Sequence, residues 1–152
     1  MTQITDVAFR CVDDLKTKLE SLAKLKGKAF WVYNEDHLMD KTKGITFPAV
    51  GVVYEGIRAV SENQKDTYKV GFSGELVASV MVIQRPDTIS PADTKKPAVE
   101  LLDDIRGQIM GTKAPSGHQW RFVVEASASE KNGVVIWIQR WSTPVQLMPV
   151  VR

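Results

Sequence analysis

The stretch HQWRFVVEASASEKNGVVIWIQRWSTPV, residues 118–145, constrains the fold more than any other. Two largely alternating runs flank Asn132-Gly133, a dipeptide with the backbone freedom that a tight hairpin turn requires. The spacing therefore predicts an antiparallel hairpin. Side chains two apart on a strand share a face, so Trp137, Gln139 and Trp141 lie on one side and Ile136, Ile138 and Arg140 on the other. Both sides are largely apolar. Such a strand is covered on both faces, or it keeps one face for another chain.

The rest of the chain supplies the partners for that hairpin. From Ile4 to Leu25, Ile4, Val7, Ala8, Cys11, Leu15, Leu19 and Leu22 return every three or four positions among charged residues, the pattern of an amphipathic helix. Thr5 or Asp6 is its candidate N-cap, and Gly27 its stop. A short aromatic strand follows at 29–33, then a polar run, 34–44, read as a loop. Strands are expected at 47–60, opened by Pro48, and at 74–86, with the polar segment 61–73 as a loop or hairpin arm between them. A second helix fits 97–110, with Val99, Leu102, Ile105 and Ile109 as its inward stripe and Gly111 just beyond its end. The order α-β-β-β-α-β-β predicts an α+β fold: a mostly antiparallel or mixed sheet of about five strands, with two helices packed on one face.

A chain of 152 residues is most simply one domain, 1–152, and long enough to bury a sizeable core. With 43% hydrophobic and 25% charged residues it is globular rather than disordered. It has no apolar run of the ~20 residues that a membrane span needs, and its acidic N-terminus is unlike a secretory signal, which implies synthesis in a cytosol and no membrane partner. The lone Cys11 lies on the apolar helix stripe and reads as a small core residue.

Catalytic patterns are missing. His37 and His118 stand in no metal or triad spacing, and Asp36, His37 and Asp40 are neighbours in sequence without a recognised ligand pattern. The pairs Asp13-Asp14 and Asp103-Asp104 fall on solvated helix faces. GFSG at 71–74 lacks the Lys-Ser/Thr of a phosphate loop, and Ser116-Gly117 is no nucleophile elbow. Lys24, Lys26, Lys28, Lys41 and Lys43 form modest clusters interrupted by acidic residues, too weak for a sequence-specific nucleic-acid surface; 20 basic against 18 acidic residues say the same. No enzyme activity, cofactor or metal is expected. The apolar excess on the strands instead points to assembly, with aromatic and arginine side chains as the natural anchors.

Three stretches resemble the tail terminator (tail completion) proteins of tailed bacteriophages. They are AVELLDDIRGQIMG, the hairpin that follows it, and FPAVGVVYEGIRAV, together with the position of the opening helix. The resemblance implies a non-enzymatic virion protein of the tail or neck, made in the host bacterial cytoplasm. It further implies a homo-oligomeric ring of six subunits that caps the tail tube, stops its polymerisation and offers a docking surface to the head. The implied partners are other copies of the chain, the tail tube protein, a head–tail connector or neck protein, and a sheath protein if the tail is contractile. The alternatives are another neck or head-completion protein, or a small nucleic-acid-binding domain. A cyclic head-to-tail ring needs two different complementary patches per subunit. Candidate contact residues are Arg58, Trp137, Arg140, Trp141, Tyr68 and Phe72, and the segments 34–46 and 61–73 are candidate arms.

Overall fold

The apolar stripe of the first helix does bury: Val7, Cys11, Val12, Leu15 and Leu19 all face inward from α1 (Val7–Glu20). The computed structural model describes residues 6–59, 72–84, 96–131 and 133–147, including every side chain among them except those of Phe72, Lys96, Pro97, Ala98 and Lys131. Helix α1 ends earlier than its periodicity suggested. Ser21 Oγ donates to the Lys18 carbonyl and Leu22 turns extended, so Leu25 reaches the core through a 3-10 turn, Ala23–Leu25, before Gly27 at φ 72°.

The strands are β1 (Ala29–Trp31), β2 (Ala49–Ala59), β3 (Phe72–Gln84), β4 (Arg121–Lys131) and β5 (Val134–Leu147), and they form one sheet in the order β1-β2-β3-β5-β4. Strand β1 pairs parallel to β2, and every other pair is antiparallel. The fold is α+β with a mixed, mostly antiparallel sheet. The expected hairpin is present as β4–β5, with Lys131 opposite Val134 and Gly133 at φ 75°. Long β5 also pairs with β3 over its whole length, which makes it a central strand.

A sheet whose central strands are apolar on both sides needs two covers, and it has them. On one face lie α1 and α3 (Lys96–Ile109), packed against Val50, Val52, Leu76, Ala78, Val80, Val82 and Trp141. On the other lies α2 (Glu35–Lys41), inside the run read as a loop, above a cluster of Val32, Val53, Met81, Ile83 and Ile136. The expectation of two helices on one face is therefore corrected to helices on both. The seven-residue α2 is too short to show a period, and it buries one side chain, Leu38. Asn34 starts it by accepting the His37 N–H at 2.9 Å. Gly51 sits beneath it: a Cβ there would lie 2.5 Å from Val32 Cγ2 and 3.0 Å from Leu38 Cδ1, so only glycine lets α2 approach.

In α3 the inward side is Leu101, Leu102, Ile105 and Ile109. Val99, assigned to the inward stripe by its spacing, is exposed, because that flank of α3 overhangs the sheet edge rather than its centre.

Candidate functional site

The polar side chains of the described residues satisfy one another instead of converging on a reaction centre. Asp14 accepts from Trp120 Nε1 at 2.9 Å and pairs with Lys18. Glu125 pairs with Arg106 and accepts from Gln139 Nε2, which also reaches the Leu102 carbonyl at 3.0 Å. His37 Nδ1 accepts the Tyr33 N–H, and the two rings stack. Burial pushes the Cys11 thiol up to about 11, which leaves it protonated and unreactive. Among the described residues no three His, Cys, Asp or Glu side chains gather to hold a metal. A cavity of about 690 Å³ opens beside the end of α2, lined by Met39, Thr42, Phe47, Ile83, Gln84 and Val134, with Lys43 as its one ionisable side chain. That lining offers no acid–base pair.

The exposed apolar groups collect elsewhere, at the two ends of the sheet. Strand β4 is the last strand on its side, and eight of its first ten residues are exposed. Phe122, Val123 and Val124 lie within this row, and Val99 and Met110 of the adjoining α3 flank are exposed beside them. Two links tie that flank to β4: the Arg106–Glu125 pair, and the Gly111 N–H donating to the Trp120 carbonyl. Register shifts at Phe122/Val124 and Ser127/Ser129 mark bulges, devices that limit indiscriminate pairing along an edge. At the opposite end is β1, three residues long. Beside it Phe9 of α1 packs on Trp31 with ring centroids 5.0 Å apart, and Tyr33 stands 86% exposed.

The candidates read from the sequence fall into three groups. Trp141 is fully buried under α3 and packed by Phe122, and Trp137 is half-buried against the same core. Trp141 therefore has no surface to offer a neighbour, and its place among the contact residues is corrected: its face of β5 is the helix-covered one. Arg58 is exposed and pairs with Glu75 at 3.1 Å. Arg140 grips Glu55 with two bonds, 2.7 and 3.2 Å, on the opposite face, where Glu55 also accepts from Ser79 Oγ. Burial alone would raise the Glu55 pKa, but the Arg140 and Ser79 hydrogen bonds together hold it below the usual value. Tyr68 lies outside the described residues, as does the side chain of Phe72, whose backbone begins β3.

Sequence reasoning passed over Phe9, Tyr33 and the Phe122-Val123-Val124 row. Two signals were available: Phe9 is a large apolar residue off the helix stripe, and three successive apolar residues break the alternation of β4.

No protein-family model matches the chain, and no curated protein does. Among solved structures it is similar to a chain of the virion of a native gene transfer agent particle. The likeness covers 94% of this chain and 99% of that one, with a TM-score of 0.60 and 14% identity. What the two chains share is the fold.

Proposed function

We propose that this chain is a structural, non-enzymatic virion protein that assembles with copies of itself into a ring capping a phage-like tail tube. The observation that carries the reading is the near end-to-end likeness to a chain taken from a virion particle. The resemblance of the helix–hairpin half and of FPAVGVVYEGIRAV to tail terminators supplies the finer form: six subunits, termination of tube growth, and a surface for the head–tail connector or neck. Polar side chains that neutralise one another and apolar groups gathered at two sheet edges suit assembly better than catalysis. The partners in this reading are the tail tube protein, the connector, and a sheath protein where the tail contracts.

The test is native mass by light scattering over a wide concentration range, followed by electron microscopy with isolated tail tubes. The expected result is a six-subunit species that appears as a cap at one end of the tube. Binding to head vertices with bare tube ends would move the assignment to a neck or head-completion protein. A monomer that decorates neither structure would overturn the ring.

A further inference from the structure

We infer that the ring junction is heterologous, with the β4–α3 edge of one copy seated against the β1–α1 edge of the next; this rests on the ring reading above. The two edges differ in shape and composition, as a head-to-tail contact requires and a two-fold contact does not. The β4 side offers an extended apolar row, Phe122, Val123 and Val124, flanked by Met110. The β1 side offers aromatic faces, Phe9 on Trp31 and the exposed Tyr33, the side-chain types that anchor interfaces.

Charge separates in the same direction. Described side chains on α3 and β4 include five carboxylates, Glu100, Asp103, Asp104, Glu125 and Glu130, against two guanidiniums, Arg106 and Arg121. The turn leading into β1 carries Lys24, Lys26 and Lys28, which meet no carboxylate at ion-pair distance among the described residues. An acidic apolar edge and a basic aromatic edge attract each other and repel their own kind, which favours closure in one sense around a ring. The exposed backbone of β4 adds hydrogen-bonding groups that a neighbour can satisfy.

The experiment compares the full chain with two variants, Val123→Asp/Val124→Asp on the β4 edge and Phe9→Asp/Tyr33→Asp on the β1 edge. All four side chains are exposed, so each variant keeps the wild-type circular dichroism and melts as a folded monomer. Each alone is expected to raise the concentration needed for rings by at least about thirty-fold, because every junction uses both edges. Mixing the two leaves one intact junction per pair and yields a one-to-one heterodimer. Rings that persist in either variant, or homodimers of either alone, overturn the inference and leave the ring reading standing. A wild-type chain that forms no ring in solution or on tube ends removes both.

Discussion

Glutamine 139 shows how one side chain is decided by its surroundings. It lies between two tryptophans on β5, fully buried, and survives there because its amide reaches Leu102 and Glu125 while its carbonyl accepts from Trp141 Nε1 at 3.3 Å. Trp141 fills the space above it, so Trp141→Ala is expected to cost about 3–5 kcal/mol in urea unfolding, through both cavity and lost packing. Gly51→Ala should cost about 1–3 kcal/mol, because the added methyl meets Val32 and Leu38 where α2 rests on the sheet. At Glu55 the effect depends on pH. Its folded pKa is held below the ordinary 4.5, so the stability it contributes is complete above that value and disappears as pH falls through the lower, folded one. Glu55→Gln should therefore lose up to about 1 kcal/mol at neutral pH, and the gap from wild type should close under acid; a gap that widens there would contradict the assignment.

Elements inherit their placement from how much apolar surface each can bury. Helices α1 and α3 carry long stripes, and their existence was legible from spacing alone, as was the β4–β5 hairpin from its turn and alternation. Helix α2 was not. Seven residues with one buried leucine give no periodic signal, and the helix exists because Asn34 caps it and Leu38 closes the second core. Asn34→Ala is expected to lower stability by ~1 kcal/mol and Leu38→Ala by ~2–5 kcal/mol, both measured by chemical denaturation. Hydrogen exchange should then quicken over 35–41 before it does in α1. The opposite order would mean that α2 is not an independent closing element.

At the scale of the whole molecule, the folded subunit leaves two unlike edges open, and ring assembly predicts a linkage that can be measured. If only the folded form assembles, its melting temperature must rise with protein concentration, while that of Val123→Asp/Val124→Asp stays flat. A melting temperature independent of concentration in the wild type would count against assembly of the free protein. The sequence by itself determined the fold class, the two longer helices, the hairpin and the want of catalytic patterns, because these follow from local periodicity and residue chemistry. Only the tertiary structure decided which face of β5 is core, that Trp141 belongs to it, that β1 runs parallel to β2, and that the free apolar side chains gather at the two sheet edges. Periodicity says that a side chain shares a face with its neighbours two or four away. What covers that face depends on strand order and long-range packing, which no local pattern records.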